Sequence, residues 1–403
     1  MSSDELMDAA GELRRRIRQH GPLTFAEFMR VALYWPRGGY YTAREAPGPS
    51  GDFYTAPLTH PVFGALIARQ LEQMRQSMGS PVPFWVLEPG AGSGLLGRDI
   101  LRHAETLEMP AAAALKYVAV DVRAGAPHPA VHRLRSDRLP FSGVRGVILA
   151  NELLDAMPVH RVTVVKGTLL ELYVVLGRDG HFEERAGTPS TPALAKRLAS
   201  LGVRLSEGYR AEINLGLEGW VAEAADTLEA GYVVVIDYGH EAGAYYDESR
   251  WRGTLRCYAG HTVNSDPYRD VGTQDIGAHV ELTTLRHAAQ EAGLAELGSV
   301  SQADFLRALG FDAYREDVER RVGLSATVRA ANLHGMDALV DPQGMGSFRV
   351  LAFGKSVPGQ LDGFAGRAPE GMRVTAPLLS GEHIALRGAA AEQAMPTWEE
   401  LLR

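Results

Sequence analysis

The sequence predicts an α/β fold built on a doubly wound, mostly parallel β-sheet. Short continuous apolar runs alternate with helical patterns through the middle of the chain, which is typical of parallel strands covered on both faces. A glycine-rich turn directly follows the first of these runs, as it does where a strand passes into a helix. We also expect a helical region before the sheet and an antiparallel β lobe inserted into it.

Five apolar runs predict the main strands, and two later runs could close the sheet. The five lie at residues 84–88, 117–121, 131–134, 144–150 and 232–237, and the two later ones at 294–300 and 348–353. Helical spacing between them predicts helices over 95–107, 215–229 and 281–291. Strands and helices that alternate in this way favour parallel pairing.

The N-terminal region reads as helical. Residues 4–20 have amphipathic spacing, and Thr24 with Glu27 three residues later predicts a capping box for a helix ending near residue 34. The Gly-, Pro- and Tyr-rich stretch 36–58 predicts a long loop, and Thr59 could cap a helix that reaches residue 78.

Antiparallel hairpins are expected between the fourth and fifth strands. Segments 160–166, 169–176 and 181–185 alternate in polarity and are separated by Lys166-Gly167 and by residues 178–180. The expected organisation is therefore a helical region with a lid loop (1–80), the first half of the sheet domain (81–156), an inserted lobe (157–215), the second half of the sheet domain (216–355) and a C-terminal extension (356–403) that folds back on it.

Composition narrows the class of protein. Hydrophobic residues make up 45% of the chain, which is enough for a packed core, and the net charge of −8 argues against a nucleic-acid backbone as the main partner. The single cysteine, Cys257, suits a reducing compartment. An acidic N-terminal stretch without an apolar core argues against a secretory signal, and no apolar run is long enough to span a bilayer. We expect a cytoplasmic protein without a membrane partner.

The strongest chemical signal is the glycine loop, Glu88-Pro89-Gly90-Ala91-Gly92-Ser93-Gly94, between a strand and a helix. Residues 92–97 also satisfy the dinucleotide pattern G-x-G-x-x-G, so a nicotinamide cofactor and S-adenosylmethionine compete for this loop. A carboxylate at Glu88 suits an ammonium and a sulfonium, and it is unfavourable beside a pyrophosphate. The loop therefore favours S-adenosylmethionine in a Rossmann-like domain, held by Glu88, Gly90, Ala91, Gly92 and Gly94.

Carboxylates follow two further strands. Asp121 ends the second run, where it could accept hydrogen bonds from a ribose diol of either cofactor. After the fourth run come Asn151, Glu152 and Asp155, at the sheet edge where ligands of open parallel sheets bind. Such carboxylates could hold a cationic acceptor such as a guanidinium and help its proton leave, although Asn151 or Asp155 could instead cap a helix. The scattered histidines indicate no metal site.

Several segments resemble the MidA-like proteins, a family that includes a mitochondrial complex I assembly factor acting as a protein arginine methyltransferase. The most specific matches are Asn151-Glu152-Leu153-Leu154-Asp155-Ala156-Met157-Pro158-Val159-His160 and Asp237-Tyr238-Gly239-His240, and the resemblance covers roughly residues 20–355. It implies a class I methyltransferase fold, S-adenosylmethionine as cofactor and an arginine-bearing protein as substrate.

The resemblance also implies roles for single residues. Asp52 and Phe53, with Gly51, would help form the cofactor pocket, and Asn151 and Glu152 would face the acceptor. At Leu58 the family often has a glutamate, so one acceptor-binding carboxylate is absent here. His240 and His279 lie in matched segments and could relay a proton or be structural.

The function predicted from the sequence is methylation of arginine on a partner protein. Three alternatives stay open: a small-molecule methyltransferase, an assembly factor that binds the cofactor without transferring the methyl group, and an NAD-dependent oxidoreductase.

Overall fold

The structure is a computed structural model that describes residues 8–43, 55–106, 109–259, 262–368 and 371–383. Within them the strands are β1 (Leu23–Thr24), β2 (Phe84–Pro89), β3 (Leu115–Asp121), β4 (Val131–Arg135), β5 (Val144–Asn151), β6 (His160–Val165), β7 (Thr168–Leu176), β8 (Phe182–Gly187), β9 (Arg210–Ile213), β10 (Leu228–Asp237), β11 (Gly239–His240), β12 (Arg256–Ala259), β13 (Thr262–Asn264), β14 (Asp275–Gly277), β15 (Val280–Glu281), β16 (Ala295–Ser301) and β17 (Arg349–Lys355). The α-helices are α1 (Ala9–His20), α2 (Phe25–Tyr34), α3 (Tyr40–Ala43), α4 (Ala56–Thr59), α5 (Val62–Ser77), α6 (Leu95–Thr106), α7 (Ala111–Ala114), α8 (Ala193–Ser200), α9 (Leu217–Thr227), α10 (Ala242–Tyr245), α11 (Leu282–Glu291), α12 (Gln302–Ala308), α13 (Phe311–Arg320) and α14 (Ala326–Val340).

The chain forms two compact units. The first contains the described residues of 1–45, 153–222 and 239–288, and the second contains those of 46–152, 223–238 and 289–403. The five segments expected from the sequence do not coincide with these units. One physical reason is that β1 pairs with β7, so the N-terminal region shares a sheet with the inserted hairpins.

A seven-stranded sheet forms the centre of the second unit. Its strand order is β16-β17-β10-β5-β2-β3-β4. Strands β10, β5, β2, β3 and β4 pair in parallel, whereas β17 pairs antiparallel with both of its neighbours. The predicted doubly wound, mostly parallel sheet is therefore confirmed.

The apolar runs form strands because the sheet interior excludes water from both faces. Val147, Ile148 and Leu149 of β5 are at most 1% exposed, and Tyr232 of β10 is fully buried. Side chains on both faces of such a strand gain by burial, so alternation of polarity disappears from the sequence.

The five-stranded sheet of the first unit is antiparallel, whereas its two-stranded sheet β11–β15 is parallel. β7 pairs with β1, β6 and β8, and β6 also pairs with β9. The turn between β6 and β7 has positive φ at both Lys166 (54°) and Gly167 (71°), as a two-residue hairpin of the primed type requires. The hairpins expected around this dipeptide are confirmed, and the smaller sheets β11–β15 and β13–β12–β14 belong to the same unit.

The predicted capping box begins α2. The Thr24 N–H donates to Glu27 Oε2 at 2.8 Å, and the Glu27 N–H donates to Thr24 Oγ1 at 3.2 Å. The expected cap at Thr59 is wrong, because Thr59 ends α4 and α5 begins at Val62, whose N–H donates to His60 Nδ1 at 3.0 Å. The stretch 36–58 also contains α3 and the start of α4, so it is not loop throughout.

The C-terminal extension packs on the second unit. The Gly363 N–H donates to Gln70 Oε1 of α5 at 2.8 Å, and the Leu379 N–H donates to Asn332 Oδ1 of α14 at 2.9 Å. Its described residues therefore contact these two helices. None of the helices in the described part of the chain has the length and apolarity that a bilayer-spanning helix requires.

Candidate functional site

The candidate site lies at the carboxyl ends of three neighbouring strands, β5, β2 and β3. β2 ends at Pro89, β3 at Asp121 and β5 at Asn151. Within the sheet, β3 lies next to β2 on one side, whereas the later strands β5 and β10 lie on the other side of β2. Ligands of open α/β sheets bind at such a reversal of strand order.

The glycine loop turns sharply between β2 and α6. Its three glycines adopt left-handed conformations, with φ of 72° at Gly90, 51° at Gly92 and 72° at Gly94. Side chains rarely tolerate this region, so the turn requires glycine. The Gly90 N–H donates to Val120 O at 2.8 Å, which ties the loop to β3, and the Gly94 N–H donates to Ala91 O at 2.7 Å within the loop.

Glu88 lies at the end of β2 with only 5% of its surface exposed. Tyr117 of β3 donates its hydroxyl to Glu88 Oε2 at 2.8 Å. Burial raises the pKa of Glu88 to about 8, an effect that the Tyr117 bond opposes and the charge of Asp121 reinforces. The site thus contains a buried carboxyl group that gains from a cationic partner, because a nearby positive charge stabilises its ionised form.

Asp121 is joined to the glycine loop by its side chain. Its Oδ2 accepts from the Gly92 N–H at 2.9 Å, and its Oδ1 accepts from the Arg123 N–H at 3.0 Å. Burial raises its pKa, while these two backbone bonds lower it. Each oxygen keeps a second lone pair, so the carboxylate can still accept from the hydroxyls of a ribose.

Arg133 of β4 is a site residue that no sequence pattern marked. Its guanidinium donates to Gly92 O at 3.1 Å and also to Ser93 O. A Cβ at Gly94 would lie 2.6 Å from Arg133 Nη2, so the glycine at 94 also makes room for this side chain. The strand register places Glu88, Ala119 and Arg133 side by side on three neighbouring strands. The position of Arg133 in the site can therefore be recognised only once the strand order is known.

Asn151 and Glu152 follow β5 at the same edge of the sheet. Glu152 has φ of 48°, a strained conformation for a residue with a side chain, and its N–H donates to Ile236 O at 2.8 Å. Its Oε1 accepts from the Ala56 N–H at 3.0 Å and from Asn151 Nδ2 at 3.1 Å. Asn151 is 9% exposed, and its Oδ1 has no hydrogen-bond partner among the described residues, so it is available to a ligand donor.

The structure thus brings eight of the expected residues to one edge of the sheet in the second unit: Glu88, Gly90, Ala91, Gly92, Gly94, Asp121, Asn151 and Glu152. Asp155 belongs to the first unit, where its main-chain oxygen accepts from the Ala278 N–H at 3.0 Å. Burial and then the charge of Asp155 raise the pKa of the Tyr258 hydroxyl in that unit. No helix begins at residue 151 or 155, so neither residue caps one.

Two expected cofactor residues, Asp52 and Phe53, lie outside the described residues.

Leu58, where the family often has a glutamate, is 4% exposed and packs against Leu95 at the start of α6. An apolar contact therefore takes the place of a carboxylate. Packing next to the glycine loop gives this substitution a structural reason.

His240 and His279 lie together in the first unit, with ring centroids 5.1 Å apart. Burial lowers the pKa of His240 to about 4 and that of His279 well below its usual value. Both imidazoles are therefore neutral at physiological pH, because burial disfavours their charged form.

The donor set fits S-adenosylmethionine better than a dinucleotide. A buried carboxyl group at Glu88 suits an ammonium, Asp121 suits a ribose, and the unsatisfied Oδ1 of Asn151 can accept a further donor. A pyrophosphate would place negative charge beside the Glu88 carboxylate. The fold and the site define a Rossmann-like domain that binds a cationic nucleoside cofactor.

Comparison with known proteins identifies the family. A family model described as putative S-adenosyl-L-methionine-dependent methyltransferase matches residues 66–300, and the chain belongs to this family. The resemblance seen in the sequence is confirmed, and so is the cofactor class. The chain is an S-adenosylmethionine-dependent methyltransferase by family and fold.

Named relatives and solved structures agree. The chain is 29% identical over 384 residues to a Drosophila melanogaster protein named Protein arginine methyltransferase NDUFAF7 homolog, mitochondrial, covering 85% of this chain and 84% of the relative. It is 27% identical to the Homo sapiens protein named Protein arginine methyltransferase NDUFAF7, mitochondrial, covering 83% and 80%. A Burkholderia thailandensis protein crystallised with S-adenosyl-homocysteine is 31% identical, with a TM-score of 0.78 over 92% of this chain and 98% of that one.

Proposed function

We propose that this protein transfers the methyl group of S-adenosylmethionine to an arginine side chain of a partner protein. The observation that carries the proposal is the acidic residue at the end of β5, Glu152, held in a strained backbone conformation beside the glycine-loop strand. Strain of this kind concentrates at functional sites. The names of the relatives, which describe protein arginine methyltransferases, support the choice of acceptor.

Each site residue has a role in this proposal. Glu88 pairs with the ammonium of the cofactor, and Asp121 accepts from its ribose. The backbone of Gly90, Ala91, Gly92 and Gly94 lets the cofactor approach the main chain closely. Asp52 and Phe53 complete the cofactor pocket, as the family resemblance implies.

Asn151 and Glu152 serve the acceptor. The bound cofactor supplies an electrophilic methyl group, so the protein needs only to align the acceptor nitrogen, exclude water and accept the released proton. The Glu152 carboxylate pairs with the guanidinium through charge-assisted hydrogen bonds. As the nitrogen–carbon bond forms and the carbon–sulfur bond breaks, the guanidinium proton passes to this carboxylate.

Glu152→Gln tests the acceptor role. The Gln side chain keeps an oxygen that accepts from the Ala56 N–H, so the local structure should persist while the negative charge is lost. We expect transfer of labelled methyl groups into lysate proteins to fall by about 100-fold, as for loss of a general base. S-adenosylhomocysteine should bind within about twofold of wild type, since this carboxylate does not hold the cofactor.

The labelled products decide the acceptor. A mass increase of one or two methyl groups on an arginine of a labelled protein supports the proposal. Label only in small molecules would point to a small-molecule methyltransferase, and cofactor binding without any label would point to an assembly factor. Either result would overturn the arginine assignment and leave the cofactor assignment intact.

We place the protein in the cytoplasm as a working proposal. The buried single cysteine suits any reducing compartment. The named relatives are mitochondrial, so fractionation of the source cells, with the endogenous protein detected by antibody, distinguishes the two compartments.

A further inference from the structure

The last described residues of the chain contact α6, the helix that follows the glycine loop. We call residues 380–383 the C-terminal strap. His383 is fully buried, and its Nε2 lies 3.0 Å from Asp99 Oδ2 of α6. The Ser380 N–H donates to His383 Nδ1 at 3.2 Å, so the proton sits on Nε2 and is donated to Asp99.

This anchor brings Glu382 to Arg98, one residue before Asp99. Arg98 Nη2 donates to Glu382 Oε1 at 2.7 Å, and the same guanidinium donates through Nη1 to Ser93 O at 2.7 Å. The Arg98 side chain is only 13% exposed, which limits its alternative rotamers. A single guanidinium therefore joins the strap to the glycine loop.

The carbonyl that Arg98 holds controls the loop geometry. Arg133, which lies in β4 and not in α6, donates to the same Ser93 oxygen. Because the peptide is planar, a fixed Ser93 carbonyl also fixes the direction of the Gly94 N–H, which donates to Ala91 O. Two arginines thus hold a peptide in the middle of the turn that must accept the cofactor.

We propose that the C-terminal strap positions the glycine loop for cofactor binding, with Glu382 acting through Arg98. Glu382 is a positioning residue because it touches the guanidinium and not the loop itself. The strap orients Arg98, Arg98 holds the Ser93 carbonyl, and the loop is preorganised for the cofactor. Preorganisation raises affinity because the cost of ordering the loop is met before binding. The proposal holds whatever the methyl acceptor is.

A double-mutant cycle on S-adenosylhomocysteine affinity tests whether Glu382 acts on the glycine loop through Arg98. The variants are Glu382→Gln, Arg98→Ala and the double variant, with dissociation constants from titration calorimetry. We expect about threefold weaker binding for Glu382→Gln, as for loss of a half-exposed ion pair, and about tenfold for Arg98→Ala. In the Arg98→Ala background, Glu382→Gln should have no further effect, because its route to the loop is already broken.

Glu229→Gln is the matched control. Glu229 pairs with Arg145 at 3.5 Å at the amino ends of β10 and β5, the strand ends away from the site, and both side chains are more exposed than that of Glu382. This variant should bind the ligand as wild type does. Thermal unfolding of each variant without ligand checks the fold, and Arg98→Lys replaces Arg98→Ala if the latter unfolds.

Two results would overturn the proposal. Wild-type affinity in Glu382→Gln would show that the strap does not influence the loop. Additive losses in the double variant would show that Glu382 acts by a route other than Arg98.

Discussion

At the scale of single residues, the chemistry of the site depends on what surrounds each carboxyl group. Glu88 and Asp121 are both acids at strand ends, yet Glu88 is almost completely buried and bonded to a tyrosine, whereas Asp121 accepts from two backbone amides. Burial raises the pKa of both carboxyl groups, to about 8 for Glu88, and the two backbone donors at Asp121 oppose that rise.

Cofactor affinity should increase with pH through the titration of Glu88. Its pKa of about 8 means that the carboxyl group is largely neutral at pH 6, whereas pairing with an ammonium requires the ionised form. Binding must then release a proton, so the dissociation constant of S-adenosylhomocysteine should fall by up to about tenfold per pH unit between pH 6 and 7.5. Calorimetry in two buffers of different ionisation enthalpy measures the released proton directly.

Tyr117→Phe and Glu88→Gln serve as controls for this pH dependence. Removing the Tyr117 hydroxyl bond, which favours the ionised carboxylate, should move the slope to higher pH. Glu88→Gln should bind weakly and without a slope. A wild-type affinity that is flat across this range would contradict the assigned role of Glu88.

Residue type and position were enough to find the carboxylates but not their partners. Glu88, Asp121, Asn151 and Glu152 each stand at the end of an apolar run, where the sequence itself marks a strand terminus. Arg133, Arg98 and Glu382 carry no such mark, because their contacts with the loop arise from strand order and from a segment that is distant in sequence.

At the scale of elements, local chemistry determined where several helices and turns begin. The capping box of α2 and the Lys166-Gly167 turn satisfy backbone groups within a few residues, so both were predicted from the sequence. The short α3 and α4 were not, because a four-residue helix is stabilised by its packing and not by its own hydrogen bonds. Helices α12 and α14 were likewise not predicted, although a serine caps the start of each: Ser301 accepts from the Asp304 N–H and Ser325 from the Val328 N–H.

The contact between α6 and β3 depends on Gly97. A Cβ at this position would lie 2.5 Å from Cε1 of Tyr117, the residue that bonds Glu88. Gly97→Ala should therefore lower the free energy of unfolding by about 1–3 kcal/mol, as overpacking does. Urea unfolding measures this loss, and the ligand titration described above should show weaker binding.

Gly219→Ala is the control for that substitution. Gly219 lies in α9, and a Cβ there meets no atom within 4 Å. Alanine should stabilise this helix by about 0.5–1 kcal/mol. Equal effects of the two substitutions would refute the steric argument.

At the scale of the whole molecule, the fold combines a parallel sheet unit and an antiparallel unit whose segments interleave along the chain. The sheet unit contains the glycine loop, the carboxylates at its strand ends and the C-terminal strap. The family match spans segments of both units, residues 66–300.

Ligand selectivity is the property of the whole site that separates the methyl donor from a dinucleotide. S-adenosylhomocysteine at about 100 times its dissociation constant should raise the free energy of unfolding by about 2.7 kcal/mol. NAD at the same concentration should leave it unchanged, because its pyrophosphate would face Glu88. Thermal unfolding with each ligand tests this, and an equal stabilisation by NAD would contradict the cofactor assignment.

The strand and helix alternation, the glycine turn and the acids at strand ends could all be read from the amino-acid sequence, because each follows from local periodicity or from a backbone geometry that favours glycine. The strand order, the pairing of β1 with the inserted hairpins and the arginines around Ser93 could be read only from the folded chain. These depend on contacts between segments far apart in the chain, whose energies arise from burial and hydrogen bonding across elements, and no local pattern records them.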